Sequence, residues 1–223
     1  MDNSLNIPSI ESQFEFEHLE TVEKAAANGH IALIEHFIRT RPQYVIETAG
    51  YHAARAGQMK VLKYLHALNQ VGTTMLFDEY TMGHAASNGQ LEAVLFLHHC
   101  RTEGCTKGAM DMAAANGHLA VVEFLHANRT EGCSADAMAF AARDGRVDII
   151  KFLYKNRTEG CVLRSLAFWS EGSGQAQAAM VFLYELQCRE QCPLCHNSKD
   201  MLLYRGFVEE VHDLELRQEK SDY

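Results

Sequence analysis

One feature of this chain limits its possible folds more than any other: it repeats itself every 28 residues. Residues 105–132 read CTKGAMDMAAANGHLAVVEFLHANRTEG and residues 133–160 read CSADAMAFAARDGRVDIIKFLYKNRTEG, an ungapped offset of 28. The pentapeptide RTEGC recurs at Arg101, Arg129 and Arg157. A glycine closing an Ala-rich run recurs at Gly29, Gly57, Gly89, Gly117 and Gly145, in steps of 28, 32, 28 and 28, with one insertion around 70–74. A sixth, degenerate copy comes next, in which Leu166, Ala167 and Phe168 mimic Met138, Ala139 and Phe140, and Phe182 and Leu183 restore the pattern. A fixed period of this length indicates an array of stacked units rather than a globule with a single centre.

Each copy holds two apolar stretches and two turn signals. In the copy beginning at Cys105, Met110, Ala113 and Ala114 take the i, i+3, i+4 spacing of one helical face, which predicts a short helix over 109–115. Thr106, and Asp78 and Ser134 in the equivalent place, are side-chain acceptors suited to capping it. Asn116-Gly117 ends it, because glycine readily takes the left-handed conformation of a helix C-terminus. Leu119, Val122 and Leu125, flanked by Val121 and Phe124, predict a second helix over 119–126 with a wider apolar stripe, expected to be the more buried of the two. Thr130-Glu131-Gly132 turns the chain back, with Gly132 placed for positive φ. So short a pair cannot cover its own apolar side, and neighbouring copies must do so.

With 47% apolar and 22% charged residues, the composition is that of a folded protein. Twenty Lys and Arg against 29 Asp and Glu give a net charge of −9, which opposes binding to phosphate backbones and anionic membranes. The opening MDNSLNIPSIESQFEFE lacks a signal-peptide pattern, and no apolar run approaches the roughly 18 residues that cross a bilayer. Cytoplasmic residence is expected, with the nucleus as the other option.

The segment AAANGHLAVVEFLH at 113–126 resembles the ankyrin repeat, whose helices carry Ala-Ala-x-x-Gly-His-Leu-x-Val-Val-x-x-Leu-Leu. Three departures stand out: the period is 28 rather than 33, Gly108-Ala109-Met110-Asp111 replaces the Thr-Pro-Leu-His opening, and RTEGC stands where a longer β-hairpin finger would lie. The resemblance covers residues 18–192 and implies an all-α solenoid of about six stacked helix-turn-helix repeats without long β-fingers. Residues 1–17 read as a flexible lead-in, and 193–223, with Leu202, Leu203, Phe207, Val208, Val211 and Leu214, as C-terminal capping helices and tail.

The seven cysteines and twelve histidines mostly fall into columns. Cys105, Cys133 and Cys161 share one, expected to be small side chains packed against the next copy and too far apart for disulfides. His66, His98 and His126 share another, and His52 and His84 a third. A catalytic site needs a singular nucleophile with its base, and none is evident, so the chain is expected to be non-enzymatic and without a cofactor. The exception to the columns is Cys188, Cys192, Cys195 and His196, a weak alternative zinc cluster whose adjacent Cys195 and His196 suit a single ion poorly.

Columns that vary between copies are free to be read by a partner. The position before the first helix varies as Tyr80, Gly108, Asp136 and Arg164, and its predecessor as Glu79, Lys107, Ala135 and Leu163. The pair before the turn glycine varies as Arg55-Ala56, Ser87-Asn88, Ala115-Asn116 and Arg143-Asp144. By similarity to ankyrin arrays these residues are expected to line a continuous mixed-charge groove along the concave face, binding a protein partner as a monomer. The alternatives are an adaptor docking through one terminal segment, for instance in a ubiquitin-ligase assembly, and a small zinc protein built on 188–196.

Overall fold

The structure, a computed structural model, describes residues 21–40, 42–70 and 77–160 together with Ser165, Ala179, Phe182 and Leu183. Over these residues the chain forms five consecutive helix pairs. They are α1 (Val22–Asn28) with α2 (Ile31–Thr40), α3 (Pro42–Arg55) with α4 (Met59–Gln70), α5 (Thr81–Ser87) with α6 (Leu91–Cys100), α7 (Lys107–Asn116) with α8 (Leu119–Asn128), and α9 (Asp136–Arg143) with α10 (Val147–Asn156). No strand occurs among the described residues. The all-α solenoid without β-fingers is therefore the observed architecture. Residues 1–17, most of the sixth copy including Cys161 and Arg164, the Cys188, Cys192, Cys195 and His196 cluster, and 193–223 lie outside the described residues. Phe182 and Leu183 join the same apolar core as the five pairs, and the Lys151 ammonium lies 5.2 Å from the Phe182 ring.

The expected helices appear as α7 and α8, each a little longer than the sequence pattern indicates. Capping is uneven. Asp78 Oδ1 accepts from the Thr81 amide at 2.8 Å, the Thr81 hydroxyl at 2.7 Å and the Tyr80 amide at 3.1 Å, and Ser134 Oγ accepts from the Asp136 amide at 3.1 Å. Thr106 has the extended backbone of an N-cap but makes no side-chain cap bond.

One expectation is reversed. In α7, Ala109, Met110, Asp111, Ala113, Ala114 and Ala115 are all buried, against Val121, Val122 and Leu125 in α8. The first helix is the more buried because its alanines let α1, α3, α5, α7 and α9 approach closely on both sides, whereas the second helices touch their neighbours only lightly. Closer spacing along one row bends a stack toward that row.

Two polar seams accompany this core. At Gly117 the φ of +87° and the bonds from the Gly117 amide to Ala114 O (3.3 Å) and the His118 amide to Ala113 O (2.9 Å) form a Schellman-type helix end. Above it lies Arg146, the residue just after the turn glycine in the next copy, and a Cβ on Gly117 would come within 2.9 Å of its Nε. Gln58 occupies the same place over Gly29, where its Nε2 donates to Ala27 O at 2.8 Å.

The second seam is built by RTEGC. In each turn the arginine clasps the glutamate two residues on: Arg101 with Glu103, Arg129 with Glu131, and Arg157 with Glu159. The second and third clasps lean on the turn before them. Arg129 and Glu131 cover Gly104, with Glu131 Oε1 accepting from the Cys105 amide at 3.4 Å, and Arg157 covers Gly132 and contacts Cys133. Cys100, Cys105 and Cys133 are free thiols, and only Cys133 is fully buried. On the same side the histidine column packs edge-to-face on the next copy: His66 on Phe96 at 5.6 Å, His98 on Phe124 at 5.4 Å and His126 on Phe152 at 5.4 Å.

At Glu131 the bond from Arg129 lowers the carboxyl pKa. At Glu103 and Glu159 burial acts upward as the largest single effect, yet the arginine and backbone hydrogen bonds together outweigh it and the net direction is down. A lowered native pKa contributes stability above the ordinary glutamate value of about 4.3, and that stability is lost as pH falls through the native value. Replacing all three glutamates by Gln is expected to lower the urea midpoint at pH 7 and to flatten its decline below pH ~4.5, as measured by circular dichroism.

Burial, reinforced by Glu159, pushes the Cys133 thiol up to about 11. Iodoacetamide at pH 8 should label exposed Cys100 in the native protein and Cys133 only after unfolding, as read by peptide mass spectrometry. Gly83 sits within α5, where an added methyl would make ordinary contacts of 3.9 Å with Ala109. Gly83→Ala is expected to stabilise by about 0.5–1 kcal/mol, whereas Gly117→Ala should destabilise by more than about 1 kcal/mol in the same denaturation assay.

Candidate partner-binding surface

The variable columns fall at the two ends of the first helices. At their N-terminal ends Glu79, Tyr80 and Lys107 are exposed and Asp136 is half-buried, at the starts of α5, α7 and α9. At their C-terminal ends Arg55, Asn88 and Arg143 are exposed, with Ser87 and Asp144 half-buried beside them. Helices of seven to ten residues separate these ends by roughly 10–15 Å. The candidates thus occupy two rims rather than one unbroken groove. Arg164 lies outside the described residues.

A strip that the variable columns considered above do not include joins the rims. His52, His84, Met112 and Phe140 hold one register position across four copies, and Met112 is 44% exposed in the middle of α7. With Tyr80, 55% exposed, it is one of two large apolar side chains exposed among the described residues. Burial lowers the pKa of His52 and His84, and nearby Arg55 adds to this at both, against an upward pull from Glu23 at His52 and from Asp78 at His84. The signal is present in the sequence: this column changes from His to Met to Phe, and so varies by the same criterion that selects the others.

At the C-terminal rim the groups converge on a cleft of about 570 Å³ lined by Tyr51, Arg55, His84, Ser87, Asn88, Asn116 and His118. It brings together four of the expected residues, Arg55, Ser87, Asn88 and Asn116, and adds three that were not expected, Tyr51, His84 and His118. Tyr51 is wedged edge-on between two imidazoles, with ring centroids 4.4 Å from His52 and 4.0 Å from His84. Asn88 Nδ2 donates to His84 O at 3.0 Å, and Asn116 Nδ2 reaches into the preceding copy to Ser87 O at 2.7 Å and Ser87 Oγ at 3.0 Å. The walls are thereby braced within and between copies.

Further along the same rim the arrangement differs. Arg143 is engaged by its own neighbour, its Nε and Nη2 each donating at 2.9 Å to the two oxygens of Asp144, and it also lies over the Phe140 ring at 5.4 Å. The bond it donates to Asp144 raises the Arg143 pKa and, reciprocally, holds the Asp144 carboxyl below the usual range. Inside the stack, buried Asp111 accepts from the Ser134 amide at 2.8 Å and braces the next copy. Burial raises its pKa against that bond.

No helix among the described residues is long and apolar enough to cross a membrane. Residues 82–165 match the family model for ankyrin repeats, in three copies. Among solved structures, the crystal structure of the human ASB11 ankyrin repeat domain is similar, with a TM-score of 0.52 at 16% identity over 74% of this chain and 84% of that one. No curated protein matches the sequence.

Proposed function

We propose that this chain, whose residues 82–165 match the ankyrin-repeat family model and whose fold is similar to an ankyrin repeat domain, is a non-catalytic module that binds a protein partner across the row of its first helices, on the concave side of the solenoid, in the cytoplasm or nucleus. Ankyrin arrays are interaction modules, and their concave surfaces are where such solenoids take partners. A division of labour between columns supports this reading. Residues that recur from copy to copy, such as Ala85, Ala113 and Ala141, are buried, while the exposed side of the first helices carries residues that change, among them Tyr80, Met112 and Arg55. An exposed tyrosine and methionine flanked by charged and amide side chains is the composition of an interface that is apolar at its centre and polar at its rim.

The surface is dissected by combining Tyr80→Ala with Arg143→Glu, a pair at opposite rims. Partner recovery by affinity capture from the native cell is expected to fall at least tenfold, while the melting temperature moves by no more than about 4 °C, since neither residue is buried. Undiminished capture by a folded double variant would place the interface elsewhere. Loss of partners only when 1–17 or 198–220 is deleted would favour the terminal-docking adaptor instead.

A further inference from the structure

The column two places before the turn glycine holds arginine twice, and the two arginines differ in their next residue. At Arg143 the next residue is Asp144, whose carboxylate takes two guanidinium N–H bonds of 2.9 Å. At Arg55 it is Ala56. No hydrogen bond or ion pair engages Arg55 among the described residues, and its side chain is exposed at the edge of the 570 Å³ cleft. The chain itself therefore displays the group that satisfies an arginine in this column, and lacks that group at Arg55.

The surroundings fit the missing group. None of the residues lining the cleft is acidic, in a chain whose net charge is −9. Of the two carboxylates that act on the neighbouring histidines, Asp78 accepts three hydrogen bonds at the start of α5 and Glu23 acts on His52 from α1. The Tyr51–His84 ring pair forms a firm wall, and Asn116, tied to Ser87, fixes the far side. A guanidinium offers a planar fork that matches a carboxylate in two parallel bonds, and such charge-assisted pairs are roughly twice as strong as neutral ones.

We propose that this cleft receives a carboxylate side chain from an acidic segment of the partner protein, held by Arg55 as Asp144 is held by Arg143. The proposal rests on the interaction role proposed for the first-helix row and specifies the chemistry of the partner at one point of that surface.

The test uses the full chain and three fluorescein-labelled peptides of identical length: one alternating Glu with Ser, one with every Glu replaced by Gln, and one in which phosphoserine replaces Glu. Binding is monitored by anisotropy at low salt. The Glu peptide is expected to bind at least tenfold more tightly than the Gln peptide. Arg55→Ala should abolish that preference. Ala56→Asp, which keeps the arginine but supplies an internal carboxylate, should abolish it equally. Arg39→Ala, which removes an exposed arginine on α2, should leave it intact. Circular dichroism melts establish that each variant is folded. Equal binding by the Glu and Gln peptides, no binding of either, or full retention in both the Arg55→Ala and Ala56→Asp proteins overturns the proposal. So does a phosphoserine peptide binding tenfold more tightly than the Glu peptide, which would make the cleft a phosphate site. If these fail while the Tyr80 and Arg143 pair still removes the native partner, the interaction surface stands and only its carboxylate specificity falls.

Discussion

A unit of two short helices cannot bury its apolar side by itself, and every feature of this protein stems from that shortage. Isolated helices of seven to fourteen residues are at best marginally stable in water, so each pair persists because another pair lies against it. The solution adopted is asymmetric. Alanines in the first helices reduce the distance between backbones, so that Ala85, Ala113 and Ala141 are fully buried by their neighbours. The second helices, with Phe96, Phe124 and Phe152, keep bulk on the outside and meet through histidine and aromatic edges.

Apolar burial is indifferent to register, and the polar seams supply what it lacks. The residue after each turn glycine reaches over the glycine of the preceding copy, and the Arg129–Glu131 and Arg157–Glu159 clasps rest on the Gly–Cys of the preceding turn. Both seams put a long polar side chain on a position without a side chain. The glycines at 104, 117 and 132 thus meet two demands at once, a positive φ and an unobstructed upper face. A short RTEGC turn does the spacing work that a protruding hairpin would otherwise share.

Much of this architecture is readable from the residues. The recurring Met, Ala and Gly positions place α7 and α8 to within two residues, and the positive φ at Gly132 agrees with the turn chemistry. Relative burial of the two helices is not readable in the same way, because stripe width measures hydrophobicity, whereas burial depends on how many neighbours come close, and small side chains admit more of them. The cleft is only half visible. Arg55, Ser87 and Asn88 vary openly between copies, but Tyr51 and His118 enter it from positions one helical turn away or one copy on, and only the stacked geometry brings them there. Arg143 and Asp144 are adjacent in sequence, yet adjacency alone does not reveal that their side chains fold back on each other.

The joints between copies are interchangeable, and this has a genetic corollary. RTEGC stands at 101–105, 129–133 and 157–161, so a deletion or duplication bounded by two of these joints removes or adds one whole 28-residue period. Excising one period between two such sites would rejoin an Arg–Glu clasp to a Gly–Cys platform of the same kind. Such a lineage can lengthen or shorten its recognition surface by whole units, without inventing a new contact at the scar.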